Sequence, residues 1–307
     1  MSNCIVCSSE KIAELRSYKG KNIIFHNKVL KRCEDCEFVF TSPMPNYSDL
    51  QVYNSEYFEF AHGGHPKSPS AIAFFSGINK LRCEYVSQIL EKRNFTATKI
   101  LEIGPGQGYF AGHWLSKYPN ASYYGVETDL TCHEVLNNIG VKLLLPEQVE
   151  SSIREVDLVI MSHVLEHVPD PIGFLQLVTR KLKKGGALFI EVPCNDWQHK
   201  EFDEPHLLFF NKNSIMLALK NVGFDQIQVN YFGQTIEALQ TGSKYRKLLS
   251  ILRIKLIDIG LYILFACTSD KELSLLKPIE RASTKYFLAH KESKQPAWWV
   301  RAVSFKL

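Results

Sequence analysis

Three groups of residues in this 307-residue chain could do chemistry. The first is four cysteines, Cys4-x-x-Cys7 and Cys33-x-x-Cys36, with 25 residues between the pairs. Each pair can turn two thiolates onto one ion, and four thiolates complete a tetrahedral Zn2+ shell. Such a site is closed, so the metal would fold the segment and take no part in a reaction. The second group is the stretch "ILEIGPGQGYF", residues 100–110, where an apolar run ends in Gly104, Gly106 and Gly108. Glycine admits positive φ and lets a backbone approach a ligand closely. A helix opening after such a turn offers its N-terminus to an anion. The third group is histidine, whose ring exchanges protons near neutral pH. His163 and His167 flank "VLE", and His206 lies in "DEPHLLFFN". Spaced by four on one helical turn, His163 and His167 would share a face. His206 is the leading candidate base, with His163 and His167 as the other candidates. Glu166, Asp203 and Glu204 read as surface carboxylates, with orientation of a histidine or substrate binding as their alternative roles.

The elements that must position these groups alternate. "KILEIG", "ASYYGVET", "VKLLL", "VDLVIMS" and "GGALFIEVP" read as strands, separated by helical patterns such as "PIGFLQLVTRKLKKG". Alternating strands and helices imply an α/β fold with a parallel sheet covered on both faces. Ligands bind at the carboxyl ends of such strands, which is where the glycine turn and the histidines fall. "FDQIQVNYFG" and "AWWVRAVSFKL" read as two further strands. The expected units are residues 1–41 (cysteine-rich), 42–96 (connector and helical lid), 97–233 (core), 234–295 (helical insertion) and 296–307 (final core strand). In the lid, "AHGGHPKSP" with His62 and His65 reads as an exposed loop, with a mobile lid as the alternative.

The glycine spacing is G-x-G-x-G, not the G-x-G-x-x-G of NAD-binding turns. Glu102 precedes the first glycine by two residues, and Glu127 ends the next strand, where a carboxylate can take both ribose hydroxyls. Taken in order, "LEIGPGQGYF", Glu127, "SHVLEHVPDP" and "LKKGGALFIEVP" resemble the motifs of class I S-adenosylmethionine-dependent methyltransferases. The resemblance covers residues 97–232 and implies a Rossmann-like, seven-stranded sheet whose last strand is antiparallel. It implies S-adenosyl-L-methionine as cofactor, held by Glu102, Gly104, Gly106, Gly108 and Glu127, with Met161, Ser162 and His163 lying along it. It also places an adenine-edge contact in "LLLPEQVESS", where no early Asp stands and Pro146 and Glu147 are the candidates. The head, "CEFVFTSPMPNYSDLQVYNSEYF" with its cysteine pairs, resembles the N-terminal zinc unit of sugar methyltransferases from surface-glycan and secondary-metabolite pathways. That likeness implies that Tyr53 and Tyr57 pack near the cofactor. The likeness is not expected to extend to the large C-terminal domain of the sugar C-methyltransferases, and the insertion is expected instead.

Composition sets limits on partners. A net charge of +4 and a pI near 8.5 are mild for a nucleic-acid binder. Lys28, Lys31 and Arg32 are followed at once by Glu34, Asp35 and Glu37, so no nucleic acid is expected. No secretory leader is evident, and eight cysteines without one suggest a reducing, cytoplasmic setting. Cys83, Cys132, Cys194 and Cys267 are isolated and read as buried thiols. In the insertion, Leu248, Leu252, Leu256, Ile259 and Ile263 align on one side of a basic helix, expected to pack on the protein's own body. Contact with an anionic membrane surface through residues 245–266 is the alternative. The expected activity is methyl transfer to a sugar or sugar-phosphate precursor of a surface glycan. A ribosomal RNA base methyltransferase and a non-catalytic cofactor-binding scaffold are the other readings.

Overall fold

The computed structural model describes residues 3–241, 244–261, 277–284 and 289–306. The head forms β1 (Ile12–Ser17), β2 (Val29–Cys33) and β3 (Val39–Ser42). Three helices follow, α1 (Tyr47–Ser55), α2 (Tyr57–His62) and α3 (Pro69–Lys92). The alternating region gives β4 (Lys99–Ile103), α4 (Tyr109–Lys117), β5 (Ser122–Val126), α5 (His133–Asn138), β6 (Lys142–Leu143) and α6 (Val149–Ser152). It continues through β7 (Val156–Ser162), α7 (Pro171–Lys181), β8 (Leu182–Pro193), β9 (Leu208–Phe209), α8 (Lys212–Asn221) and β10 (Phe224–Thr235). Last come α9 (Ile236–Gln240), α10 (Lys244–Asp258), α11 (Lys277–Ser283), β11 (Glu292–Ser293) and β12 (Ala297–Lys306).

The large sheet runs β11-β10-β12-β8-β7-β4-β5-β6. Strands β4 to β8 in this sheet are parallel. The final strand β12 slots between β8 and β10, antiparallel to both. All seven expected strands are therefore present, and the two-residue β11 extends one edge. Burial explains the order. In β7, Val156 to Met161 are all buried, and in β12 every residue from Ala297 to Phe305 is. A strand buried on both faces belongs at the centre of a covered sheet.

The small sheet runs β1-β2-β3-β9. Its fourth strand comes from beyond β8: Val39 pairs with Phe209 and Phe40 with Leu208. More bonds tie the head to the same segment. The Arg16 guanidinium clasps Asp203 at 2.6 and 2.7 Å, and Tyr18 donates its hydroxyl to the His206 carbonyl at 2.9 Å. Lys19 N–H donates to Asp203, and Lys21 and Asn22 N–H donate to Glu204. Asp203 is therefore buried and committed rather than a surface carboxylate. The cysteine-rich head is the wall that holds the loop bearing His206.

Most of the insertion's described residues are helical, with the short strand β11 near its end, but the packed side of α10 differs from expectation. Leu248, Leu252 and Ile259 are more than half exposed, while Ile257 is buried. The packed stripe runs Arg246, Leu249, Arg253, Leu256 and Ile257, about one residue round the helix from the leucine row. Polar fastenings set this rotation. Arg253 is bidentate to Glu280 of α11 at 2.8 and 2.9 Å, and Asp258 accepts from Ser70 N–H at the start of α3. Ile263 and Cys267 lie outside the described residues. No described helix is long and apolar enough to cross a membrane.

One buried ionic group lies beneath the sheet edge. Glu191 of β8 faces its register partner Arg301 of β12 and receives Arg82 of α3, with Arg82 Nε at 2.7 Å. All three are at least nine-tenths buried. Burial alone pushes the Glu191 carboxyl up, but the two guanidinium charges hold it well below the usual range. Glu191→Gln would strand two arginines without their counter-charge. A loss of about 3–5 kcal/mol is expected, read as a lower urea midpoint in denaturation followed by circular dichroism.

Candidate active site

The glycine turn closes β4 with φ of +66° at Gly104, +52° at Gly106 and +71° at Gly108. A Cβ on Gly104 would stand 2.8 Å from a Val164 methyl, and one on Gly108 2.5 Å from Ile139 Cδ1. The backbone is thus laid where a side chain has no room. Glu127, nine-tenths buried at the end of β5, accepts from Gly106 N–H at 2.8 Å on one oxygen. Its other oxygen accepts from Asp129 N–H at 2.9 Å. Burial, ahead of these bonds, pushes its carboxyl up. Each oxygen keeps acceptor capacity, so the pair suits a vicinal diol. Glu102 is directed elsewhere. It is buried, takes the Tyr123 hydroxyl at 2.7 Å, and burial pushes its carboxyl up to about 7. Met161 is fully buried, while Ser162 Oγ at the end of β7 is buried with no hydrogen-bond partner among the described residues. Pro146 and Glu147 sit exposed on a short turn after β6.

These features fit the adenosyl cofactor: a cradle without Cβ atoms, a diol-binding carboxylate and an orphaned hydroxyl at the strand edge. Gly104→Ala places an L side chain at positive φ and drives it into Val164, whose branched side chain has little freedom to retreat. Affinity for S-adenosylhomocysteine (SAH) should fall about tenfold, since ~1.4 kcal/mol of strain converts to that factor, as measured by calorimetric titration.

The helical lid closes over the turn. Phe58 N–H donates to Asp129 at 3.1 Å, and the Phe58 ring lies near Gly106 and 4.4 Å from the His65 ring. Gln107 of the glycine turn donates to His65 Nδ1 at 2.9 Å, so the ring proton sits on Nε2 and points at Thr131 Oγ1, 2.6 Å away. His65 is thus a fastener between the glycine turn and the loop after β5, not part of an exposed loop. Tyr57 packs edge-on to His167 at 5.5 Å. Burial, then the charges of Glu166 and Glu127, push its hydroxyl pKa up. Tyr53 does not join it. Its hydroxyl donates to Glu204 at 3.1 Å and its ring packs on Phe25 and Phe60, in the wall rather than over the turn.

The three candidate histidines meet at Glu166, which is 1% exposed. His163 Nδ1 is 3.2 Å from its Oε1, and His167 Nε2 and His206 Nε2 are each 4.0 Å away. No shared helical face produces this. His163 takes the left-handed conformation, φ +58°, and a short 3-10 turn, Leu165–His167, follows. His163 N–H donates to the Glu191 carbonyl at 2.9 Å, and its ring lies between Glu166 and Glu191. Burial works against its charge, but those two carboxylates raise its pKa above the ordinary value. His167 is the reverse: burial pushes it down to about 3. Neutral, it donates from Nδ1 to the Pro205 carbonyl at 3.2 Å, which leaves Nε2 a bare lone pair without a hydrogen-bond partner. His206, 5% exposed, has Nδ1 on Asp196 at 2.8 Å, and Lys200 holds the same Asp196 oxygen at 2.7 Å.

Sequence reasoning passed over Asp196, Asp129, Gln107 and Phe58. Asp196 had one visible signal, its place just after the fifth strand, where ligands collect. Asp129 had another, a second carboxylate two residues beyond Glu127. Nothing local marked Gln107 or Phe58, whose contacts are made across the lid.

The four head cysteines come together as expected. Cys4 and Cys36 Sγ are 3.6 Å apart, Cys7 and Cys33 Sγ 3.5 Å, and all four lie within 4.8 Å of one another. Zinc–thiolate bonds of about 2.3 Å put tetrahedral sulfurs roughly 3.8 Å apart. The knuckles share one turn: Ser8 N–H donates to Cys4 O, Glu37 N–H to Cys33 O, and Ser8 and Glu37 both have φ near +60°. The donor set fits a structural zinc ion. Cys83, Cys132 and Cys194 are buried thiols, as read from sequence.

Comparison with known proteins bears on the family and the fold. A tRNA U34 carboxymethyltransferase from Aliarcobacter butzleri is 27% identical over 146 residues, 42% of this chain and 48% of that protein. A ubiquinone biosynthesis O-methyltransferase from Hydrogenovibrio crunogenus is 25% identical over 119 residues, 36% of this chain and 48% of its own. The chain thus spans about half the length of the curated relatives it matches. The solved plantazolicin methyltransferase BamL, in complex with SAH, superposes with a TM-score of 0.50 at 12% identity, over 84% of this chain and 96% of that one, a likeness of fold. The family model described as a methyltransferase domain matches residues 75–229, from α3 through β10. With half of its length in that match, and the glycine turn, Glu127 and the Glu166 cluster inside it, the chain belongs to the methyltransferase domain family.

Proposed function

We propose that the protein transfers a methyl group from S-adenosyl-L-methionine to a hydroxyl of a small molecule, a sugar or sugar phosphate destined for a surface glycan. One observation carries the reading: three histidines and a buried glutamate converge just beyond β7, where Val164 lies against Gly104 of the glycine turn and Tyr57 packs on His167. When bound, the cofactor supplies an electrophilic methyl on a sulfonium, and the sulfur leaves with the electron pair. The chain must then grip the adenosyl moiety, align an acceptor and dispose of the acceptor's proton. Gly104, Gly106, Gly108 and Glu127 provide the grip, and Phe58 and His65 shut the turn away from water. The proton is lost at the Glu166–His167–His206 cluster, where Asp196 fixes the His206 ring with Nε2 turned toward Glu166. His163, held by two carboxylates, completes the floor.

The sugar acceptor rests on the head, whose sequence resembles the zinc unit of sugar methyltransferases and whose folded form walls the cleft. A small acceptor fits better than a nucleic acid, because Lys11 and Arg32 of the head are paired with Asp35 and Glu37. We infer a structural zinc ion at Cys4, Cys7, Cys33 and Cys36.

The test begins with calorimetric titration of zinc-loaded protein with SAH. Micromolar binding is expected, weakened about 10- to 100-fold in Glu127→Ala, because a hydrogen bond to a charged group contributes about 1.5–3 kcal/mol. Labelled S-adenosylmethionine is then offered with a panel of nucleotide sugars and sugar phosphates. Absence of SAH binding by the folded protein sinks the transferase reading. Binding without transfer to any sugar leaves the transferase and removes the sugar.

A further inference from the structure

The Glu166 cluster has an excess of lone pairs. Both Glu166 oxygens and His167 Nε2 are buried without a hydrogen-bond partner among the described residues, and so is Asp196 Oδ1. His206 Nε2 is aimed at the same Glu166 oxygen as His167 Nε2, each 4.0 Å away. The three donor atoms lie within 4.8 Å of one another. A buried acceptor left unpaired costs about 1–3 kcal/mol, more when charged. The His163 ring, 3.2 Å from Oε1, offsets part of the Glu166 charge and leaves His167 Nε2 without a partner among the described residues.

We propose that this cluster is a second metal site, holding one divalent transition ion through His167 Nε2, His206 Nε2 and a Glu166 oxygen. The outer contacts suit it. His206 gives its other nitrogen to a carboxylate and His167 gives its other nitrogen to a backbone carbonyl, the arrangement that fixes tautomer and aim in metal-ligating histidines. Bonds of about 2.1 Å place neighbouring ligands roughly 3.0–3.4 Å apart, so each histidine nitrogen needs to close on the Glu166 oxygen by about half an ångström to an ångström. Two imidazoles and one carboxylate favour ions of the Mn2+ to Zn2+ series over Ca2+, and the thiolate site in the head is the softer of the two. Three protein ligands leave positions open, as catalytic sites do.

The inference rests on the transferase reading and deepens it. A cation here would bind the acceptor hydroxyl directly and lower its pKa, so its proton passes to water. The oxygen then forms the new C–O bond as the C–S bond breaks and the sulfur takes the electron pair. Acceptors with a hydroxyl beside a second oxygen, as sugars have, would chelate best.

Titration of the zinc-loaded full chain with Mn2+, followed by electron paramagnetic resonance, tests it. One Mn2+ per chain is expected, and the ion should not displace zinc from four thiolates. Affinity should drop at least tenfold in Glu166→Gln and His167→Gln, and 10- to 100-fold in Asp196→Asn, which removes no ligand but weakens the orienting contact and the Lys200 pair. Glu84→Gln, exposed on α3 and outside both the cluster and the cofactor cradle, should bind as the parent does. SAH affinity measured on each variant identifies those that keep the fold. No stoichiometric Mn2+, or binding unchanged in folded cluster variants, overturns the metal site. Neither result bears on SAH binding, whose absence would instead remove the transferase reading.

Discussion

Removing the zinc proposed for the four-cysteine head should cut methyl transfer by about two orders of magnitude or more, although the head contributes no atom to the proposed reaction. The expectation follows from what the head holds. Strand β3 pairs with β9, Arg16 clasps Asp203, Tyr18 donates to the His206 carbonyl, and the Lys21 and Asn22 amides hold Glu204. Every one of these bonds ends on residues 203–209, the segment that presents His206. Structural zinc in small domains contributes about 10–16 kcal/mol of apparent folding free energy, and Cys4, Cys33 and Cys36 of the cluster are themselves among the head's buried residues. Cys4→Ser, or a chelator strong enough to compete with four thiolates, should therefore release the head and with it the His206 loop. The large sheet should persist, because its strands pair with one another and not with the head. The measurable signature is a split result. The rate of transfer falls by about two orders of magnitude or more, the loss expected when a catalytic group is misplaced. SAH affinity should change by less than about threefold, since the glycine turn and Glu127 lie in the large sheet. Unchanged turnover in metal-free protein would show that the head is an appendage.

This coupling also shows where sequence reading stops. The glycine turn and Glu127 were legible because their chemistry is local: a strand, a turn that needs positive φ, and a carboxylate at the next strand end. The cysteine pairs were legible for the same reason, since each knuckle is closed within a few residues. Glu166 was misread as a surface residue. Its burial depends on His206, forty positions away, and on the left-handed turn at His163, which no helical periodicity describes. The α10 stripe was misplaced because a bidentate Arg253–Glu280 pair and the Asp258 cap, both long-range, set the helix's rotation. Tyr53 was drawn to the cofactor by likeness, yet its hydroxyl found Glu204 in the wall. Periodicity reports which residues are buried together along one element. It does not report which buried polar groups will meet across three.

Replacing His206 by alanine should lower the rate constant for transfer by about 10²–10⁴-fold, the usual contribution of a positioned acid–base group. Nε2 is the lone pair that the acceptor's proton, or the cation that polarises the acceptor, must find. The ring is already aimed: Nδ1 is on Asp196 and the rings of His167 and Phe209 confine it. Little reorganisation is left for the moment of reaction, and electrostatic preorganisation of this kind acts on the rate rather than on binding. SAH affinity should accordingly stay within about twofold. Asp196→Asn sharpens the argument, because it keeps the ring's neighbours and the size of the side chain. An amide can still accept from Nδ1–H, but it no longer supports positive charge on the ring, and it can also turn its NH2 toward Nδ1 and reverse the tautomer. A loss between about tenfold and a thousandfold is expected, in kcat rather than in KM for the acceptor. A purely structural Asp196 would give a different pattern, with thermal stability and both kinetic constants shifting together and the His206→Ala background no longer masking the effect. The double variant decides between them. If Asp196 acts through His206, removing it from the alanine variant should cost nothing further in rate, since the group it orients is already gone.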